Sequence, residues 1–264
     1  MDKIKTIVAK EWAEVFKNRL VLFSVLFLPL ILAAIPLVML VVFRQTSGSM
    51  AAELNDPEII ELAGALCANI SPADCTVVYT LNLFVLMFMI LPVAIPVTIA
   101  AYSIVGEKTT RSLEPLLATP ITTVELLAAK IIAAIVPAVL ATWLSFVIFL
   151  VGVRLMASAA VFDAFFAPQW LLAILVVAPL LTLLSACVAV IVSSRASDPR
   201  VAEQLSSVVI LPLILLVIGQ SVGLILIDRQ VILLMGAIVL VLDVALLWLA
   251  VRLFQRETIL TRWK

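Results

Sequence analysis

Residues 20–43 read LVLFSVLFLPLILAAIPLVMLVVF, 24 positions without one charged side chain. As an α-helix this run is ~36 Å long at 1.5 Å per residue, enough to cross the roughly 30 Å hydrocarbon core of a bilayer. Working outward from it, five further stretches are long and apolar enough to do the same: 77–105, 124–153, 168–193, 205–227 and 231–254. The composition agrees. The chain is 65% hydrophobic and 13% charged, whereas a soluble domain is about 45–50% apolar and about 25% charged. These stretches predict an all-α membrane protein with six transmembrane helices in a single transmembrane domain, 1–264. The second and third runs reach about 30 residues and so must tilt, kink or protrude. Prolines interrupt several spans (Pro29, Pro36, Pro92, Pro96, Pro137, Pro179, Pro212). In lipid such breaks survive where neighbouring helices re-satisfy the freed backbone groups, and Pro92-x-x-x-Pro96 is the strongest kink signal.

The basic residues set the expected orientation. Fourteen of the 17 fall on one side: Lys3, Lys5, Lys10, Lys17, Arg19, Lys108, Arg111, Lys130, Arg195, Arg200, Arg252, Arg256, Arg262 and Lys264. Only Arg44, Arg154 and Arg229 fall on the other. Both termini are therefore expected in the cytoplasm, which requires an even number of spans. Ahead of the first span, residues 2–19 place Ile4, Ile7, Val8, Trp12, Val15 and Phe16 on one helical face. Lys3, Thr6, Lys10, Glu14 and Lys17 take the other, with Lys5 and Glu11 as imperfect flank residues. Running straight into a span, this reads as an interfacial helix in the headgroup plane, anchored by Trp12. It does not read as a cleavable signal peptide, because it lacks an apolar central region. The basic tail, Arg252 to Lys264, reads as a headgroup anchor.

The one sizeable external loop, 44–76, is acidic and carries a short helix signal at Asp56-Pro57. It also holds Cys67 and Cys75, an expected disulfide in a compartment where such bridges persist. Cys187, inside the fourth span, reads as a small apolar packing residue. No histidine is present, which removes histidine bases, Ser–His–Asp triads and most zinc sites. No metal site and no catalytic constellation is expected, and the zero net charge gives no reason to expect nucleic acid.

The connection between the second and third spans, 106–123, is GEKTTRSLEPLLATPITT. Ser112 is placed to cap a short helix with Pro115 in its first turn. Leu113, Leu116 and Leu117 then share one face, and Pro120 ends it. Thr122-Thr-Val-Glu125 is a capping box that opens the third span. A short amphipathic helix so bracketed suits docking into a groove on another protein, or serves as a surface-lying connector.

The run Glu107-Lys108, then Ser112-Leu113-Glu114-Pro115-Leu116-Leu117-Ala118-Thr119-Pro120-Ile121, then Glu125 and Lys130, resembles the signature of bacterial and archaeal permeases of the second-type ABC exporter family. Lys10-Glu11-Trp12 and Lys17-Asn18-Arg19 are similar to that family's elbow helix. Arg111, Ser112 and Ala129 depart from its usual Gly, Thr and Gly. The resemblance implies a permease subunit of an exporter in the cytoplasmic membrane, with a coupling helix between spans two and three. Glu107, Leu113, Glu114, Leu116 and Leu117 would then couple to the ATPase subunit. It also implies a second permease copy, identical or not. The chain itself carries no Gly-x-x-x-x-Gly-Lys-Ser/Thr phosphate loop. It is therefore expected to have no cofactor of its own and not to be an enzyme. ATP and Mg are expected in the partner.

Two more signals stand apart. Gly219-Gln-Ser-Val-Gly223 matches a nucleophile elbow in letters only, since that motif needs a histidine base; small residues for close helix packing explain it. Asp243 lies midway along the sixth span, where a carboxylate costs about 2.5–3.5 kcal/mol. It is either a transport-pathway residue, with Gln220, Ser221, Ser206 and Ser207 as companions, or a buried polar tie between helices. A secondary transporter or channel is the alternative function, but only Asp243 qualifies as its coupling carboxylate. Drugs, lipids, ions, peptides and glycolipids are all compatible as substrates.

Overall fold

A computed structural model describes residues 2–45, 70–109, 122–224 and 227–253. Among the described residues it is entirely helical, with six helices long and apolar enough to cross a membrane: Val21–Phe43, Asp74–Thr109, Val124–Met156, Ala159–Arg195, Pro199–Ser221 and Arg229–Leu253. Ahead of them lies α1, Asp2–Val15. The second span is the most deeply buried, then the fourth and third; the first, fifth and sixth leave most of their surface open. That open surface is Leu, Ile, Val and Phe, as suits a bundle whose solvent is hydrocarbon. We call the side carrying α1 and the end of the sixth span the near side, and the opposite the far side.

The core is aliphatic and aromatic. Phe88 of the second span packs against Phe149 and Phe146 of the third, with ring centres 5.5 and 6.2 Å away. Phe165, on a short helix Ala159–Phe165 that opens the fourth span, meets Phe149 edge-on at 5.4 Å. The first and third spans approach closely at Gly152, where a Cβ would lie 2.3 Å from the Leu37 side chain.

Five of the proline breaks, at Pro92, Pro96, Pro137, Pro179 and Pro212, have an identifiable donor. Pro137 cannot bond the carbonyl four residues before it, and the Trp12 indole N–H donates to that carbonyl, Ala133, at 2.9 Å. Pro96 likewise frees the Pro92 carbonyl, which accepts from the Ser185 hydroxyl at 3.0 Å. Before Pro179 the helix widens into a π turn, Ala173–Val177, and Ala178 N–H bonds Ala173. The Ile174 carbonyl, left facing a proline, accepts from Trp143 Nε1 at 3.0 Å. Before Pro92 and Pro212 the chain tightens into 3-10 turns, Phe88–Ile90 and Ser207–Ile210. There Leu91 N–H covers the Phe88 carbonyl and Leu211 N–H covers Val208, the two carbonyls those prolines cannot reach.

The fifth span ends earlier than its hydropathy suggests, at Ser221. Leu224 N–H bonds the Gly219 carbonyl at 2.8 Å and Gly223 N–H bonds Gln220 at 3.0 Å, with Gly223 at φ 74°. This is a Schellman cap. The Gly-x-Ser-x-Gly run is thus a helix terminator, with Gly223 supplying the left-handed residue rather than a packing surface. The acidic loop helix expected near Asp56, and the tail beyond Leu253, lie outside the described residues.

Candidate functional site

Four charged residues meet on the near side, where α1 crosses the ends of the second and third spans. Ile7 and Trp12 place one face of α1 on the third span, against Leu126 and Ala129. That same face carries Glu11, which is 2% exposed. The Lys130 ammonium, one helical turn beyond Leu126 on the third span, reaches Glu11 Oε1 at 2.8 Å and Glu107 Oε2 at 2.7 Å. Lys10 completes the set at 2.8 Å from Glu107 Oε1 and reaches Glu14 more loosely, at 3.7 Å. Ser103 donates to Glu11 Oε2 and accepts from Lys130 at 2.9 Å. Two lysines thus balance two buried glutamates, which satisfies the condition for holding charge away from water. Partial burial pulls the Lys10 ammonium down, but its hydrogen bond to Glu107 and the surrounding carboxylates outweigh that and hold its pKa above the ordinary value.

The neighbour of Glu107 reaches the other way. Lys108 donates to the carbonyls of Ala196 at 3.1 Å and Ser194 at 3.5 Å, where the fourth span ends, a favourable place for a cation. One turn of the second span therefore ties α1 and the third span on one side to the fourth span on the other. Further in, Thr98 donates to Glu203 at 2.6 Å, joining the second span to the start of the fifth. On the third span, Thr122 and Glu125 form the full capping box: Glu125 N–H bonds Thr122 Oγ1, and Glu125 Oε2 accepts from Thr122 N–H at 2.8 Å.

Of the residues singled out from sequence, Glu107 lies in this network. Leu113, Glu114, Leu116 and Leu117 lie outside the described residues, as does Cys67. Cys75 is disulfide-bonded, and Cys187 is a free, buried thiol. Asp243 is buried, within electrostatic reach of Cys187 on the fourth span. Among the described residues neither of its oxygens has a hydrogen-bond partner. Gln220 is not its companion: it sits at the far end of the fifth span, whereas Asp243 is fourteen residues into the sixth, about 20 Å deeper by helix rise. Ser206, Ser207 and Ser221 bond carbonyls of their own helix instead (Ala202, Glu203 and Ile218). Sequence reasoning missed Lys10, Glu11, Ser103 and Lys130 as members of a site. The available signal was a glutamate at the edge of the apolar face of α1 and a lone lysine seven residues into a span.

The arrangement defines a polytopic membrane protein whose near-side charges clamp an amphipathic helix across both flanks of segment 110–121. A family model described as ABC-2 family transporter protein matches residues 5–231, and the chain belongs to that family. It is accordingly the multi-pass membrane component of an ABC transporter and not itself the ATPase; the family implies an ATPase partner subunit. No curated protein matches the chain.

Proposed function

We propose that this chain is the permease of an ATP-driven exporter in the cytoplasmic membrane. Both termini and segment 106–123 lie in the cytoplasm, ATP and Mg are held by the partner ATPase, and two permease copies, identical or not, form the pathway. Leu113, Glu114, Leu116 and Leu117 dock the ATPase. The observation that carries this reading is the ion network bridging both flanks of that segment through Glu107 and Lys130. A push on the segment is passed through buried, short-range charge contacts to the second and third spans and to α1, and through Lys108 to the fourth. Apolar packing alone would let these helices slide; paired charges fix their register. Substitution at Leu116 tests it. Leu116→Asp places an unpaired charge in the docking contact, a cost of several kcal/mol, so ATPase recruitment falls by orders of magnitude at about 1.4 kcal/mol per tenfold. Membrane abundance stays normal, because the segment lies outside lipid, and Thr110→Asp is nearly silent. Co-purification and substrate-stimulated ATP hydrolysis unchanged by Leu116→Asp would overturn the docking assignment.

A further inference from the structure

Near its end the second span is held on two opposite faces. Thr98 and Glu107 are nine residues apart, about half a turn around the helix at roughly 100° per residue. Glu107 meets α1 and the third span through the ion network. Thr98 faces the fifth span, where its hydroxyl donates to Glu203 Oε1 at 2.6 Å. The two holds differ in kind. The lysines and glutamates of the network bind one another, and a buried charge that leaves its partner is left unpaired. Glu203 is half-buried, and among the described residues the Thr98 hydroxyl is the one side-chain partner of its carboxylate. Thr98 has one hydrogen and two acceptors in reach, because its oxygen also lies 3.2 Å from the Ala94 carbonyl one turn back. When the two spans part, that hydrogen turns to Ala94 and Glu203 takes up water. Neither group is orphaned, so this bond breaks at little cost.

Beyond Thr98 the seam between the second and fifth spans turns apolar. Nine residues farther in, about 14 Å by helix rise, Met89 and then Leu86 line a water-sized void with Leu213 and Leu216 of the fifth span, and its wall gives water no polar side chain. At the far end the Tyr79 hydroxyl meets the Gln220 backbone carbonyl at 3.5 Å. Tyr79 and Thr98 are 19 residues apart, about 28 Å, close to the roughly 30 Å of a hydrocarbon core. Polar contacts thus close the seam near both membrane faces, with an underfilled apolar stretch between them.

We propose that the Thr98–Glu203 bond is a near-side gate, which opens when the second span tilts about its ion-network end and admits near-side water, and substrate with it, to this seam. The inference rests on the permease reading, which supplies the push on segment 106–123. That push moves the second span together with α1 and the third span, because paired charges bind the three. Among the described residues the fifth span shares none of those charges, so the seam takes up the motion. Thr98 is the contact that yields, since it alone has a second acceptor waiting.

The test is thiol labelling of the full-length chain in phosphatidylcholine nanodiscs, without ATPase or nucleotide. Leu213→Cys, in a Cys187→Ala background, places a thiol in the wall of the void. Trimethylammonioethyl methanethiosulfonate, which reacts from water and does not enter lipid, reads its access. Thr98→Val and Glu203→Met each remove the bond and should each speed labelling about tenfold, the weight of one hydrogen bond in the opening equilibrium. The two together should do no more than either alone. Thr98→Ser keeps the hydroxyl and should label at the parent rate. Leu215→Cys, on the open face of the same helix, should stay unlabelled throughout. Labelling of Leu213→Cys that neither variant changes overturns the proposal, as does a Thr98→Ser rate equal to that of Thr98→Val. So does a rise shared by Leu215→Cys, which would mean a general loosening of the fifth span. Labelling needs no ATPase, so its failure is distinct from failed ATPase recruitment by the unsubstituted chain.

Discussion

Lys130 is the residue on which the near side turns. Its ammonium bonds both buried glutamates and Ser103, so removing it leaves two carboxylates to share Lys10, which reaches only one of them. Lys130→Met should cost about 3–5 kcal/mol, the penalty of leaving buried charge unpaired. Adding Glu11→Gln should recover part of that by removing one orphaned charge. Thermal unfolding in detergent measures both; a Lys130→Met variant that melts with the unsubstituted protein would show the network to be incidental. The raised pKa of Lys10 works in the same direction: its contribution is complete at neutral pH and is lost only as pH climbs through that raised value, above 10.5. At the other end of the chain's chemistry, we expect Cys75 to be paired with Cys67. Non-reducing peptide mapping should recover the two in one linked fragment, and a free Cys67 thiol in protein purified without reductant would exclude the pairing.

At the level of elements, prolines and indoles work as matched parts. Pro137 opens a carbonyl in the third span that Trp12 closes, so α1 is docked by a hydrogen bond that exists because a helix is broken. Trp12→Phe keeps most of the apolar contact and should cost about 1–3 kcal/mol by orphaning the Ala133 carbonyl. In a Pro137→Ala background the restored backbone N–H takes that carbonyl, so the same substitution should cost clearly less. A double-mutant cycle of melting free energies reads the coupling; an additive cycle would mean the indole anchors in lipid headgroups instead. The structure gives Trp12 a partner inside the bundle beside the membrane-surface anchoring that its position alone leads one to expect. Pro179 and Trp143 repeat the device within the bundle, as do Pro96 and Ser185.

For the whole molecule, the proposed orientation, with both termini in the cytoplasm, has a direct test. Placed outside the network, Thr109→Cys should react with an impermeant thiol reagent only in inverted vesicles, measured in a Cys187→Ala background. Labelling of that cysteine from the outside of intact cells would reverse the topology and remove the ATPase from reach of segment 106–123.

The number of spans was legible in the sequence because hydropathy is summed residue by residue along one helix, and runs such as 20–43 leave no other way to bury themselves. The capping box at Thr122 and Glu125 was legible for a similar reason: its partners are three residues apart. Tertiary structure alone decided which groups meet across the bundle. Lys130 and Glu11 are 119 residues apart and Trp12 and Ala133 are 121 apart. No local pattern records either pairing, because each depends on how two helices are rotated and offset against each other. Asp243 and Gln220 show the same point in reverse: both read as polar intruders in neighbouring spans, and only the depth at which each helix places them keeps them apart. The charge of Glu11 could be seen in the sequence. That it faces inward is set by packing, which holds a polar group on the buried side of a helix only where an opposite charge is already waiting.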